Sequence, residues 1–211
     1  MARLARIQVS DLAAGLVLAP ERYDPARRPA VLDGRPLAEL VTLVAEGVRP
    51  DSPGSWQYLV FDTGDADAGF LHTERPPLSA SELGSTKRLV APGDVMISRL
   101  RPYLRQVAWV DPALAREGLR LCCSTEFYVL RGRDPAQIAF LVPWLLSAPI
   151  QAALAAGQEG GHHPRFDRSA LLELPVGAHW LARRDALGAA VAAAVGQLRQ
   201  GRQGLSRLSE S

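Results

Sequence analysis

A chain of 211 residues, 47% hydrophobic and 22% charged, has the composition of a globular protein that can bury a full core as one domain with an appendage. It holds no apolar run of about 18 residues, which excludes a membrane-spanning helix, and Met1-Ala-Arg-Leu-Ala-Arg6 lacks the apolar segment of a secretory signal, so a cytoplasmic protein is expected. A net charge of only +2 excludes a uniformly basic chain, so any contact with a polyanion has to be local.

In chain order, Ile7 to Leu18 is a mixed apolar lead-in, and Tyr23 to Pro36, rich in proline, arginine and aspartate, reads as an extended arm. Leu37 to Val48 has apolar residues at 37, 40, 41, 43 and 44. That spacing predicts an amphipathic helix, stopped by Gly47 and Pro50. Gln57 to Phe61 reads as a strand, Asp62 to Gly69 as a turn, and Glu74 to Gly84 as a Pro/Ser-rich loop. Strands are predicted over Asp94–Ser98, Gln106–Val110 and Glu126–Leu130, the first introduced by the turn Pro92-Gly93-Asp94. The adjacent Cys122 and Cys123 fall in strand-like sequence, where neighbours rarely bridge.

Asp134-Pro135 is a helix start, with Asp as N-cap and Pro at the first helical position, for a helix through Phe140, Leu141, Trp144 and Leu145. A second helical segment runs from Pro149 to about Ala156, followed by a glycine-rich loop from Gly157 to His163. Asp167 caps a short helix through Leu172, before strand-like Leu174-Pro-Val176. Leu181 to Leu208 differs in kind: Leu187, Val191, Ala194, Leu198, Gly201, Leu205 and Leu208 fall on a heptad, the spacing of a coiled-coil seam. Gly188, Gly196, Gly201 and Gly204 each cost about 1 kcal/mol against alanine, so this helix needs a partner surface.

Charge is segregated along the chain. Asp33 to Glu82 holds three basic and nine acidic residues, a balance of 3 − 9 = −6. Gly84 to Arg105 holds five basic residues (Lys87, Arg88, Arg99, Arg101, Arg105) against Asp94 alone, a balance of 5 − 1 = +4. The loop Ser98-Arg99-Leu-Arg101-Pro-Tyr103-Leu-Arg105 thus carries three arginines and a tyrosine between two apolar strands. Arginine pairs bidentately with phosphate and guanine, although a solvated loop with surface ion pairs fits the same residues. Gly160-Gly161-His162-His163-Pro164-Arg165, with Arg168 beyond it, combines close backbone approach with donors; a tight helix-to-helix turn is the alternative.

Catalytic signals are sparse. Adjacent His162 and His163 project differently and do not form a metal pair, with His72 and His179 distant in sequence, so no metal is expected. There is no phosphate-binding Gly-Lys-Ser/Thr loop, dinucleotide fingerprint or nucleophile elbow. Asp94, Ser98 and Glu126 are read as scaffold and turn chemistry.

Several segments carry a family likeness by their order: Gly93-Asp94-Val-Met-Ile-Ser98-Arg99 with Arg101-Pro102; Cys123-Ser124-Thr125-Glu126-Phe-Tyr-Val-Leu130; the Phe140–Ser147 helix; Gly160-Gly161 to Pro164-Arg165; Leu171-Leu172-Glu-Leu-Pro175-Val176; and the terminal helix. Together, from about Leu37 to Leu208, they resemble a target-recognition domain of the specificity subunits of type I restriction-modification systems. The resemblance implies a mixed α/β (α+β) domain over residues 1–178, including a lead-in over 1–36, with a twisted mixed sheet and flanking helices. A long spacer and dimerisation helix follows over 179–211.

It further implies sequence-specific binding of double-stranded DNA without catalysis or cofactor. In the family, partner modification subunits methylate adenine and a motor subunit cleaves. A full family subunit has two such domains and two helices; this chain has one of each. It also has Gly177-Ala-His-Trp180 where the final helix often begins Pro-x-x-Glu-Gln. The expected DNA-contacting residues are Lys87, Arg88, Ser98, Arg99, Arg101, Tyr103, Arg105, Gly161, His162, His163, Arg165 and Arg168. The expected partner helix uses Leu187, Val191, Ala194, Leu198, Leu205 and Leu208, pairing with a second copy or a sister half-subunit. An adaptor of a phage-defence complex that keeps the fold without selective DNA reading is the alternative.

Overall fold

The computed structural model describes Gln8 and residues 33–133, 138–159 and 164–209. The rest of the lead-in, most of the Pro/Arg-rich arm, Asp134-Pro135 and Gly160 to His163 lie outside the described residues. The strands are β1 (Arg35–Pro36), β2 (Val41–Leu43), β3 (Gly47–Val48), β4 (Gln57–Phe61), β5 (Ala66–Asp67), β6 (Phe70–Leu71), β7 (Lys87–Val90), β8 (Val95–Ser98), β9 (Val107–Trp109), β10 (Leu119–Cys123), β11 (Phe127–Gly132), β12 (Gln158–Glu159), β13 (Arg165–Phe166) and β14 (Pro175–Val176). The α-helices are α1 (Leu141–Leu145), α2 (Ala148–Ala156), α3 (Arg168–Leu172), α4 (Ala178–Ala182) and α5 (Arg184–Ser209).

Two four-stranded sheets form the frame. One has the order β3-β7-β10-β4 and is mixed, because β10 runs parallel to β4 and antiparallel to β7. The other, β2-β11-β8-β9, is antiparallel throughout. Apolar residues on successive positions divide between opposite faces, as the two-residue period of a strand requires. Leu59, Phe61, Leu121 and Cys123 of the first sheet meet Met96, Ala108, Phe127 and Val129 of the second. Val95, Ile97, Trp109, Tyr128 and Leu130 face the other way, into a core closed by Leu141, Trp144, Leu145, Ile150, Leu154 and Leu171. Tyr58, Val60 and Cys122 point outward from the first sheet and are covered by Ala80 and Leu83. The near-continuous apolar runs in β8 and β11 follow from burial on both faces.

Cys122 and Cys123 lie in β10 as unbridged, buried thiols, one on each face of the sheet. Burial pushes both up to about 12, so neither supplies a thiolate near neutral pH.

The segment predicted as a helix from Leu37 to Val48 is not one. After a single 3-10 turn over Leu37–Glu39 it becomes β2 and β3. Val41, Thr42 and Leu43 pair with Gly132, Arg131 and Leu130, and the Val44 amide donates to the Val129 carbonyl at 2.9 Å. The β-branched side chains fit the open edge of β11, and a short apolar run is ambiguous by periodicity alone. The helix through Leu145 is also shorter than its sequence suggested. It starts at Leu141 after a turn over residues 138–140 and breaks at Ser147, where an extended backbone introduces α2. The glycine-rich segment after α2 begins with β12, which pairs antiparallel with β13.

The long terminal helix is present but begins at Arg184, because the backbone breaks at Arg183 between α4 and α5. Its first half is covered by its own domain: Val195 is buried, and Leu187, Val191 and Ala192 pack against the helix-covered core. Two charged contacts extend the docking. Arg199 Nε lies 2.9 Å from Asp111 Oδ2, and Arg202 Nη1 lies 2.6 Å from Glu74 Oε1. The Arg202 guanidinium also sits 5.1 Å from the Phe70 ring centroid, a cation–π contact. Leu198, just before these contacts, is 52% exposed, and Leu205 and Leu208, beyond them, are 69% and 75% exposed.

Candidate nucleic-acid interface

The strand β8 delivers the arginine loop, and its support is built by Asp94. Gly93 adopts a left-handed φ of 88°, which glycine takes without strain. The turn places Asp94, 2% exposed, where its carboxylate accepts from the Ala91 amide at 2.7 Å and from Arg131 Nε and Nη2 at 2.8 and 2.7 Å. This bidentate pair ties the start of β8 to the end of β11. Asp94 is therefore a structural group. At the other end of β8, Ser98 is buried and its hydroxyl accepts from the Leu100 amide at 3.2 Å.

The loop after Ser98 is a 3-10 turn over Pro102–Leu104, with Arg101 and Arg105 on either side at φ 44° and 54°. A non-glycine residue in this left-handed region costs about 1–2 kcal/mol, so the surrounding contacts must hold the shape. Pro102 is buried, the Leu104 amide donates to the Arg101 carbonyl at 2.8 Å, and the Arg105 amide donates to the Pro102 carbonyl at 2.8 Å. Tyr103 and Leu104 stand out at 66% and 45% exposed.

The two loops singled out in the sequence are joined in space. Leu100 and Arg165 form an antiparallel bridge, the Arg101 amide donates to the Pro164 carbonyl at 3.3 Å, and the Phe166 amide donates to the Arg99 carbonyl at 3.2 Å. The Tyr128 hydroxyl donates to the Phe166 carbonyl at 3.2 Å and anchors β13 over β11. At the junction sits Glu126. It accepts from Arg99 Nε at 2.8 Å and from Arg165 Nε and Nη2 at 3.1 and 2.8 Å. Arg88 reaches the same corner, its Nη1 donating to the Phe127 carbonyl at 2.7 Å.

Arg101, Arg105 and Arg168 line this surface as partly or fully exposed residues, Arg168 as the first residue of α3 behind the cap Asp167. The Lys87 ammonium instead lies 3.1 Å from the Ser85 hydroxyl, on β7. Gly161, His162 and His163 lie outside the described residues. The apolar tip residue Leu104 was missed in the sequence, where nothing separates it from a packing leucine. The two-arginine clamp on Glu126 was missed as well, because its partners are 27 and 39 positions away.

The hydrogen bonds from Arg165 hold the Glu126 carboxyl down at about 2; partial burial opposes them, and the hydrogen bond and charge of Arg99 add to them. A carboxylate whose folded value is depressed stabilises the fold above its usual range near 4.5 and loses that contribution as pH falls toward 2. The contribution is roughly 2 kcal/mol, less than the full shift implies because Arg165 stands in solvent and is screened. Glu126→Gln is therefore expected to lower stability at neutral pH and to flatten its decline between pH 5 and pH 2 (approximate bounds set by the two values), as followed by urea unfolding. An acid profile identical to that of the unaltered chain would remove this role from Glu126.

Among the described residues no group of three or more histidine, cysteine, aspartate or glutamate side chains is placed to hold a metal ion. No helix among them is long and apolar enough to cross a membrane.

No protein-family model matches the sequence, and no curated protein matches it. Solved structures do. A chain from a type I R-M system, studied for its complex assembly and conformational transition, superposes with a TM-score of 0.58 at 23% identity, over 83% of this chain and 45% of that one. The HsdS subunit from Thermoanaerobacter tengcongensis superposes with a TM-score of 0.50 at 20% identity, over the same shares, 83% and 45%. The chain thus spans a little under half the length of these neighbours. In fold, the mixed α/β domain with its long terminal helix is similar to a portion of the HsdS subunit of type I restriction-modification systems.

Proposed function

We propose that this chain is a non-catalytic DNA-specificity subunit or the DNA-reading part of one. It reads a sequence in double-stranded DNA through the joined Ser98–Arg105 and Arg165–Arg168 surface and directs a partner adenine methyltransferase to it in the cytoplasm. The observation that carries this reading is the junction itself. Two arginine-bearing loops about sixty positions apart are bridged at Leu100 and Arg165 into one rigid, cationic surface. Such a surface supplies what groove recognition needs: guanidinium donors for phosphates and base edges on a preformed backbone. Glu126 fixes Arg99 and Arg165 as a frame, and Arg101, Arg105 and Arg168, at least partly exposed beside it, are the groups proposed to meet DNA. The exposed half of α5 (Ala194, Leu198, Gly201, Leu205, Leu208) provides the pairing face for a second copy or a sister half-subunit, and a two-fold pair would read a split site.

The test is selection from a random duplex library by the full chain with methyltransferase subunits present. Enrichment of one sequence is the expected result. Arg101→Ala should then cost about 1–3 kcal/mol and relax one position of that sequence if the residue reads a base. If it holds phosphate, the loss should be equal across sequences and the salt slope should fall by about one unit. A complex that assembles yet enriches no sequence would leave an adaptor rather than a reader.

A further inference from the structure

We infer that Tyr103 and Leu104 form a wedge that enters a base step of the bound duplex and partly unstacks it. This rests on the DNA-binding reading above and adds how the site deforms its ligand. The described large apolar side chains left exposed are Trp56, three leucines of α5, and this adjacent pair at a loop tip. A tip of that kind is ordinary when it is mobile and when neighbours of both charges surround it. Here the backbone of the tip is tied down on both sides, and arginines outnumber the acidic residues near it. Beneath the tip, Pro102 is buried and the turn lies against α2. On either side the chain is held in the left-handed region at Arg101 and Arg105, two residue types that do not favour it. The Arg101 amide is tied to Pro164, and the Arg105 carbonyl accepts from the Ala68 amide. The turn is thus stiff, and its two apolar side chains are presented outward.

The frame around the tip is cationic: Arg101 and Arg105 flank it, Arg99 and Arg165 stand at its base, and Arg168 follows. Of the carboxylates here, Glu126 is engaged by Arg99 and Arg165, and Asp167, beside Arg168, accepts from the Ser169 amide and hydroxyl as the cap of α3. An apolar wedge on a rigid backing, bordered by guanidinium groups that grip phosphates on both sides, is complementary to a duplex opened at one step. Such side chains unstack neighbouring bases and kink the helix. The step most easily opened is a pyrimidine–purine step, so the recognised sequence should contain one beneath the tip.

The experiment uses the full chain with methyltransferase subunits on the duplex enriched by selection, with 2-aminopurine placed at each position in turn and donor and acceptor dyes at the ends. The expected result is a several-fold rise in 2-aminopurine fluorescence at one step apart from the methylated adenine, which the methyltransferase itself takes out of the stack, and a bend of roughly 20–90°. Tyr103→Ala combined with Leu104→Ala should abolish both while leaving the salt dependence of binding unchanged, because the phosphate contacts remain. Tyr103→Phe should retain both, since the ring is kept. A selected duplex that stays straight and stacked under the unaltered chain overturns the wedge and leaves the DNA reading standing. Unstacking that survives the double alanine variant also overturns it, as does loss of methyltransferase binding by that variant with unstacking intact. If no sequence is enriched at all, the DNA reading and the wedge fail together.

Discussion

Asp94→Ala is expected to destabilise the chain by about 3 kcal/mol, the loss that follows when one partner of a buried ion pair is removed. Three interactions disappear together: both hydrogen bonds from Arg131 and the one from the Ala91 amide. The Ala91 amide then lacks its acceptor within the turn, and the Arg131 guanidinium, about one third exposed, turns toward water. For a chain of this size the change corresponds to a melting point lower by roughly 6–12 °C. Asp94→Asn keeps an acceptor for Ala91 but loses the charge and one oxygen for Arg131, so its effect should be about half as large. Both are read by thermal and urea unfolding. Equal stability of Asp94→Ala and the unaltered chain would show that the turn, and not the ion pair, holds β8 in place.

The second large effect concerns assembly rather than folding. Under the pairing proposed for α5, Leu198→Glu combined with Leu205→Glu should leave the chain monomeric in light scattering, while the folded monomer keeps its stability within about 0.5 kcal/mol. The reasoning is geometric: Leu198 and Leu205 are more than half exposed in the single chain, so nothing inside it is lost, whereas two carboxylates buried in a heptad seam repel and lose water. Leu187→Ala should behave in the opposite way. Leu187 packs against the domain core, so its truncation lowers stability and leaves pairing nearly untouched. Pairing should also make the melting point rise with concentration, and the double glutamate variant should lose that dependence. A chain that is monomeric both alone and with methyltransferase subunits would remove the pairing face.

These two effects separate what α5 does at its two ends. Its first half is part of the domain, held by Val195 and by Arg199 on Asp111. The helix leaves the domain after Arg202, where Leu205 and Leu208 are uncovered, and Leu198 is half exposed within the docked stretch. The domain and α5 are therefore coupled by apolar packing together with ion pairs at exposed or partly exposed sites, the latter being the part that salt weakens.

Much of the architecture could be read from the chain itself. The strands at Gln57–Phe61, Val95–Ser98 and Val107–Trp109, the Asp167 cap and the long terminal helix lie where spacing, turn residues and β-branched side chains place them. These features depend on neighbours within a few residues, and local preference is written in local sequence. The arginine loop was legible for the same reason, since its charge and its flanking strands are contiguous. The segment after Leu37 was misread because its apolar spacing suits a helix, while the free edge of β11, some ninety positions later, offers it a ladder. Likewise no local pattern marks Glu126 as the clamp between Arg99 and Arg165, Arg131 as the partner of Asp94, or Asp111 and Glu74 as anchors for α5. Each of these is a charge whose meaning depends on what folding brings within about 3 Å of it, a distance at which hydrogen-bonded ion pairs act. Composition and order were enough to say that a strand-borne cationic loop and a lone heptad helix exist. The meeting of two remote loops at Leu100 and Arg165, and the division of the heptad helix into a docked half and an uncovered half, follow only from long-range packing, which no periodicity within the chain encodes.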